Sequence, residues 1–509
     1  MTTASTTSAT SGAGSRTIVR DFTASIVVFL VAMPLCMGIA IASGAPPEKG
    51  LITGIIGGIV VGALAGSPLQ VSGPAAGLAV IVFELIRDHG LTALGPVLIL
   101  AGAIQVLAGV LRLGGWFRAI SPAVVHGMLA GIGVLIVAGQ FHVLFDAKPL
   151  ANGVENLVAA PGRVLGLGAG GAAVQQAALV GVFSIIAMLG WEKFRPKALR
   201  LVPGALIAVL AGTFLAAGLS LGVTRVEVPA SIFAAVVPPS GDALSMFFNP
   251  TIITLAIAIA FIASAETLLS AAAVDRMHDG VRTKYDKELR AQGIGNMLCG
   301  FAGALPMTGV IVRSSANVQA GAMTRMSTIL HGVWILALVA LAPWLLRQIP
   351  MAALAAILVV TGFRLISLKH VRHLLHQYGP MPAAIWAGTL IMVVATDLLT
   401  GVLVGMALSL VELIPHIRRA KLNIEQSADE ENSSLTLNGT ATFVSLPKLS
   451  AALESTPARG TVKLNLESLA HIDHTCAEML NDWVQRIRDA GVKVEMSGAN
   501  EKLRRLVPA

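Results

Sequence analysis

The chain is poor in charged residues, tyrosine and cysteine. Only 13% of its 509 residues are charged, against roughly 25% in a soluble domain. Its two tyrosines argue against a membrane β-barrel, which carries girdles of aromatic side chains. Cys36, Cys299 and Cys476 are scattered and indicate neither a disulfide framework nor a metal site. The net charge of +8 needs no nucleic-acid partner, since much of it flanks apolar segments.

Apolar residues dominate instead. They make up 55% of the sequence, the mean hydropathy is +0.77 and there are 52 glycines. Apolar runs recur from Phe22 to about Ile417, each near the ~20 residues that cross a bilayer. The composition predicts an all-α polytopic membrane protein whose helices pack closely through small residues. We find no nucleotide loop, metal cluster or nucleophile–base set, so an enzyme is not expected.

We divide residues 22–417 into fourteen helical segments, several of them short. With the N-terminus inside, the inner loops carry 20 Lys and Arg residues and the outer loops carry 6. This bias predicts that both termini are cytoplasmic. Residues 1–15 are rich in Thr, Ser, Ala and Gly and are expected to form a disordered tail. They lack the basic start of a signal peptide.

Two hydrophobic segments about 240 residues apart are broken in the same way. Residues 67–85 (SPLQVSGPAAGLAVIVFEL) and 303–322 (GALPMTGVIVRSSANVQAGA) both contain Gly, Pro and small hydroxyl residues before an apolar run. Broken helices at matching places in two halves are typical of transporters with inverted repeats, and they indicate a substrate site at the bilayer midplane. We place the repeats at about 16–222 and 249–421. The alternative is that the breaks are packing kinks.

The composition changes after Lys421. Residues 422–433 are polar and are predicted to be a linker. Strand-like and helical patterns alternate over residues 434–509, which predicts a small α/β domain.

Several motifs together resemble the SulP anion-transporter family. They are RDFTASIVVFLVAMPLCMGIAIASGAPPEKGLITGIIGG, SGPAAGLAVIV, SPAVVHGMLAGIGVLIVAGQ and GNMLCGFAGALPMTGVIVRSSANVQAGAMTRMSTILHG. The C-terminal region is similar to a STAS domain. The resemblance covers about residues 16–505. It implies a seven-plus-seven inverted-repeat fold over 16–421, with core and gate domains, elevator-like movement, a homodimer and a cytoplasmic STAS domain.

The C-terminal region departs from the family pattern in two ways. In a STAS domain that accepts phosphate, Ser or Thr usually follows the Asp of the central motif, whereas here Asp473 is followed by His474. The chain also ends soon after NEKLRRL, which predicts a shortened domain. The first departure argues against a phosphorylation switch.

The breaks are predicted to bind the anion through helix N-termini, which carry unpaired N–H groups and partial positive charge. The predicted substrate-binding residues are Gln70, Val71, Ser72, Gly73, Thr308, Gly309, Val310, Ile311 and Arg313. The resemblance implies that a basic residue at the position of Arg313 lies behind the anion. The alternatives are an Arg313 that pairs with Glu266 for structure and an Arg313 that snorkels to water.

Glu266 is the only acid between Asp242 and Asp275, and charges inside a membrane segment are usually functional. The resemblance implies an acid here that is linked to a co-transported cation. Glu266 and Ser270 are four residues apart and share a helix face. A buried carboxyl can carry a proton, or both residues can hold Na⁺ with backbone carbonyls. Both choices remain open, and no other cofactor or metal is expected.

The sequence therefore predicts a cation-coupled secondary transporter of a small oxyanion, bicarbonate or sulfate, in a bacterial inner membrane. A C4-dicarboxylate symporter is the alternative substrate class. A nucleobase permease would need a second acid where Arg313 stands. The alternative from another class of protein is an anion channel or a STAS-linked signalling anchor.

Overall fold

The computed structural model describes residues 8–117, 121–150, 152–164, 172–229, 231–239, 241, 243–278, 280–413, 422–428, 432–442, 445–457, 460–489 and 491–498. The chain divides into two compact units. The first runs up to Gly114 and continues over Ile132–Ile366, and the second takes Gly115–Gly131 and the residues from Ser367 onward.

The apolar part of the chain is helical. In chain order its helices are α1 (Ser8–Ala42), α2 (Pro47–Ile56), α3 (Gly62–Leu64), α4 (Ala79–His89), α5 (Leu94–Val110), α6 (Gly114–Phe117), α7 (Pro122–Leu144), α8 (Gly153–Val164), α9 (Ala172–Phe194), α10 (Gly204–Gly218), α11 (Ala243–Met246), α12 (Pro250–Asp275), α13 (Tyr285–Phe301), α14 (Ile311–Gln319), α15 (Met326–Leu341), α16 (Pro343–Leu346), α17 (Met351–Leu365), α18 (Leu368–Tyr378), α19 (Pro380–Ala395) and α20 (Leu398–Leu413). A π-helical stretch, Gly57–Val61, joins α2 to α3, and 3₁₀ turns at Ala76–Leu78 and Leu91–Ala93 precede α4 and α5.

Six of the described helical stretches are long and apolar enough to cross a membrane, and five shorter ones are also apolar. The long ones are Thr17–Ala42, Pro47–Leu64, Leu91–Val110, Pro122–Leu144, Val174–Phe194 and Pro250–Asp275. This confirms a helical membrane protein. One boundary differs from expectation: α1 begins at Ser8, inside the segment predicted to be disordered, because extending an existing helix costs far less than starting one.

The two predicted breaks contain strands. β1 (Ser72–Pro74) and β2 (Met307–Gly309) pair antiparallel, with Ser72 opposite Gly309 and Pro74 opposite Met307. The first half-helix, α4, therefore starts only at Ala79, after the 3₁₀ turn Ala76–Leu78. Strand pairing supplies the hydrogen bonds that the interrupted helix loses at Pro74.

The C-terminal region of the second unit is an α/β fold. Its elements are β3 (Leu422–Ala428), β4 (Asn432–Ala441), α21 (Leu446–Ser455), β5 (Thr461–Asn465), β6 (Leu469–Ile472), α22 (His474–Asp489) and β7 (Lys493–Ser497). β3 is antiparallel to β4, which pairs in parallel with β5 and β6, and β5 pairs in parallel with β7.

The prediction of a linker at 422–433 was wrong for 422–428. Leu422 and Ile424 alternate with polar residues and pack against the sheet's apolar core, which is the two-residue period of an edge strand. The NEKLRRL segment lies outside the described residues.

Candidate functional site

The two breaks meet in the first unit. Pairing of β1 with β2 places the predicted site residues of the first break, 70–73, against those of the second, 308–311. α4 follows β1 and α14 follows β2, so both half-helices begin close to the paired strands. The structure therefore brings residues 70–73 and 308–310 together, while Ile311 begins α14 and its side chain is exposed.

Several of the amides predicted to face an anion already have acceptors. The N–H of Val310 donates to the carbonyl of Val71 at 2.9 Å, and the N–H of Val71 donates to the hydroxyl of Ser314 at 2.9 Å. The N–H of Gly309 donates to Oγ1 of Thr267 at 3.2 Å. The donors left for a ligand are those of the first helical turns, which have no acceptor within their own helix.

The side chains at the breaks mainly hold the breaks in place. Gln70 donates from Nε2 to the carbonyl of Thr267 at 2.9 Å, and it lies against Gly309, where a methyl group would overlap its amide. The hydroxyl of Ser72 accepts from Nε2 of Gln292 at 2.6 Å. The buried hydroxyl of Thr308 has no partner among the described residues.

Helix α13 positions both breaks through three fully buried polar residues, Glu288, Gln292 and Asn296. Oε2 of Glu288 accepts from the amides of Gly66 and Ser67 at 2.8 and 2.9 Å. Its Oε1 accepts from Gln292 at 3.0 Å. These bonds fix the start of the first break.

Asn296 fixes the second break in the same way. Its Oδ1 accepts from the N–H of Met307 at 2.8 Å, and its Nδ2 donates to the carbonyl of Met307 at 3.1 Å. Nδ2 also donates to Oε1 of Gln105 on α5 at 2.8 Å.

We did not predict Glu288, Gln292, Asn296 or Thr267 as site residues. A signal was present, because the first three are spaced by four residues in a glycine-rich helix. That spacing makes a polar stripe along one helix face. Which backbone groups the stripe would bind depends on the packing of segments about 200 residues away.

Arg313 is the only predicted site residue with an ionised side chain at the breaks themselves. It is 0% exposed. Its Nη1 lies 3.3 Å from Sγ of Cys36 and against Gly73, where a methyl group would overlap it. Nε and Nη2 have no hydrogen-bond partner among the described residues. A buried guanidinium therefore presents two free donors.

Glu266 lies on α12 beside the start of the first half-helix. A methyl group at Gly77 would be 2.6 Å from its Oε2, and this oxygen has no partner in the described part of the chain. Ser270 is buried one turn further along the helix. Glu266 and Arg313 do not form an ion pair, so the alternative of a structural Arg313–Glu266 pair was wrong.

The described residues hold no cluster of three or more His, Cys, Asp or Glu side chains that could bind a metal ion. A cation at Glu266 and Ser270 would need hydroxyl and backbone oxygens in addition to the single carboxylate, which are ligands that Na⁺ and other hard cations accept.

Comparison with known proteins assigns the family. Residues 18–389 match the sulfate permease family. The chain belongs to the sulfate permease family. It is 31% identical to YvdB of Bacillus subtilis (strain 168), provisionally named as a sulfate transporter, over 96% of this chain and 93% of that protein. It is 25% identical to the bicarbonate transporter BicA of Picosynechococcus sp. (strain ATCC 27264 / PCC 7002 / PR-6), over 84% of this chain and 75% of that protein.

The fold is also similar to that of a solved bicarbonate transporter domain. The solved transmembrane domain of a cyanobacterial BicA superposes with a TM-score of 0.67 at 24% identity, covering 76% of this chain and 98% of that structure. Residues 424–509 match a STAS domain. The predicted family and STAS domain are thus confirmed, and the family consists of transporters.

Proposed function

We propose that this member of the sulfate permease family is a secondary active transporter of a small inorganic oxyanion, bicarbonate or sulfate. The observation that carries the proposal is Arg313, which is fully buried yet leaves Nε and Nη2 without partners. A buried charge without a partner costs several kcal/mol, so a protein that keeps one at a break between half-helices gains from a bound counterion.

The free donors also indicate the kind of anion. Nε and Nη2 point along the same edge of the guanidinium, and this edge binds two oxygens of one oxyanion at once. The helix starts beside the paired strands add partial positive charge. Bicarbonate and sulfate both offer the required pair of oxygens, which agrees with the names of the relatives.

Glu266 is proposed as the coupling acid. Its Oε2 is free of partners among the described residues, and it stands beside the start of α4, next to the proposed anion position. Binding of H⁺, or of Na⁺ with Ser270, would remove a negative charge that repels the anion. The loaded site would then be electrically easier to move across the membrane.

The remaining parts of the proposal concern architecture. We propose fourteen spans in two inverted repeats, with both termini cytoplasmic, in a homodimer in the bacterial inner membrane. The loaded site would move by an elevator-like displacement. The antiparallel pairing of β1 with β2 supports this, since inverted repeats bring equivalent segments together in opposite directions.

Uptake of labelled sulfate and bicarbonate into proteoliposomes tests the anion site. Arg313→Met should reduce uptake about 100-fold, the scale set by losing a charged bidentate contact. Arg347→Met is the matched control, since Arg347 is exposed. Equal uptake by the two variants would overturn the proposal, and competition by fumarate would instead indicate a dicarboxylate carrier.

Separate H⁺ and Na⁺ gradients test the coupling role. Glu266→Gln should still exchange labelled for unlabelled anion but should no longer concentrate it under either gradient. Glu227→Gln, at an exposed acid, should behave as the wild type. A Glu266→Gln variant that still accumulates anion would contradict the coupling role.

A further inference from the structure

A cavity lies in the first unit, and none of the residues of β1 and β2 lines it. Its volume is about 120 Å³, and it is lined by Lys49, Leu91, Thr92, Gly95, Gly303 and the segment 237–239. This exceeds the ~10–15 Å³ that one water molecule needs. These residues come from the starts of α2 and α5, the turn after α13 and the chain before α11, so four segments enclose one space.

Lys49 places a positive charge at this cavity. Its side chain is only 4% exposed, and its ammonium donates to the carbonyl of Ala235 at 2.7 Å. In the part of the chain that the structure describes, this is its one hydrogen-bond acceptor, and it makes no ion pair. An ammonium has three N–H donors, so two remain for a ligand.

A helix start faces the same space. The turn Leu91–Ala93 continues directly into α5, which together form a 20-residue helical stretch. Leu91 and Thr92 line the cavity, and the first N–H groups of such a stretch have no acceptor within it. Their partial positive charge adds to that of Lys49. Glu48, which is half-buried, is the adjacent acid and opposes them.

We propose that this cavity is a binding site for a small monovalent inorganic anion, a halide or bicarbonate, held by Lys49 and the helix start at Leu91–Thr92. None of the residues of the proposed transport site lines it. The walls from Val237 to Pro239 offer an apolar surface around the charged end, which suits a weakly hydrated anion better than a divalent one.

The cavity also connects to the second break. Oγ1 of Thr53 lies 3.0 Å from the carbonyl of Lys49 and accepts from the N–H of Leu305 at 2.9 Å. Gly303, with φ +58°, lies between the cavity wall and that break. An anion beside Lys49 would therefore bind next to the residues that join α2 to the second break.

Thermal unfolding of the purified protein at constant ionic strength tests the site. In the Arg313→Met background, bromide replacing gluconate should still raise the unfolding temperature saturably. Adding Lys49→Met should weaken the apparent bromide affinity by at least about tenfold, whereas Lys49→Arg should retain it. Glu48→Gln should strengthen it, and Lys148→Met, at an exposed lysine, should have no effect.

The same titration with bicarbonate and with sulfate identifies the anion, and sulfate should be the weakest. An anomalous bromide peak beside Lys49 Nζ in crystals of the wild-type protein would support the site without any variant. Absence of that peak, or an unchanged bromide response after Lys49→Met, would overturn it. The background already lacks Arg313, so a negative bromide result does not bear on the transport proposal. In the same way, loss of uptake in Arg313→Met does not support an anion site at Lys49.

Discussion

Two charged side chains in the first unit are equally buried but differ in their hydrogen bonding. Glu288 and Arg313 are both 0% exposed. Glu288 accepts from two backbone amides and from Gln292, whereas Arg313 has only a contact with Cys36. Full hydrogen bonding marks Glu288 as a structural group, since buried charges persist when they are paired or hydrogen-bonded. The free donors of Arg313 mark a place for a ligand.

Truncating Glu288 should have the largest effect on stability. Glu288→Ala leaves the amides of Gly66 and Ser67 buried without an acceptor, which should lower the free energy of unfolding by about 3 kcal/mol or more. Glu288→Gln keeps one acceptor oxygen and should lose less. Denaturant unfolding in detergent measures both effects. A Glu288→Ala variant as stable as the wild type would contradict the structural role of Glu288.

Removing the Arg313 side chain should not destabilise the protein, in contrast to removing that of Glu288. Arg313→Met takes away an unpaired buried charge, so the free energy of unfolding in gluconate should not fall and could rise by about 1 kcal/mol or more. Sulfate should stabilise the wild type by mass action but not the variant. Thermal unfolding with and without sulfate measures this, and a strongly destabilised variant would assign Arg313 a structural role.

Gly73→Ala sharpens the comparison by moving the guanidinium without removing it. The added methyl group would overlap Nη1, and the flexible side chain would have to shift, so uptake should fall about tenfold. Folding should be retained. Gly218→Ala is the control, since a methyl group there meets nothing within 4 Å. The KM for the labelled anion should rise in Gly73→Ala only.

Gly77→Ala would displace the Glu266 side chain sterically, as Gly73→Ala would displace Arg313. Its expected effect on transport is the smallest of the four. A methyl group 2.6 Å from Oε2 would displace the carboxylate at a cost of about 1 kcal/mol. Accumulation under a cation gradient should therefore fall several-fold while anion exchange is largely kept. If exchange falls as much as accumulation, Gly77 acts on the anion site and Glu266 is not a separate coupling group.

The sequence predicted where the site lies better than how it is built. The Gly and Pro residues of the two breaks located the segments that meet, and Arg313 and Glu266 stood out as charges in apolar helices. The strands β1 and β2 were not predicted, because three-residue segments such as SGP and MTG are too short to show a strand pattern. Gln70 and Ser72 were expected to face the ligand, yet their side chains hydrogen-bond to Thr267 and Gln292.

By itself the sequence determined the class of protein and its family, because apolar length, low charge and the ordered motifs are properties of the chain alone. It also located the STAS domain and the paired breaks. Only the tertiary structure decided which donors stay free. Each amide at the breaks pairs with the acceptor that tertiary packing brings close to it, and the sequence does not show which acceptor that is. The amides of Val71, Gly309 and Val310 find their acceptors on α14, on α12 and in the facing break, respectively, while Nε and Nη2 of Arg313 have no partner among the described residues.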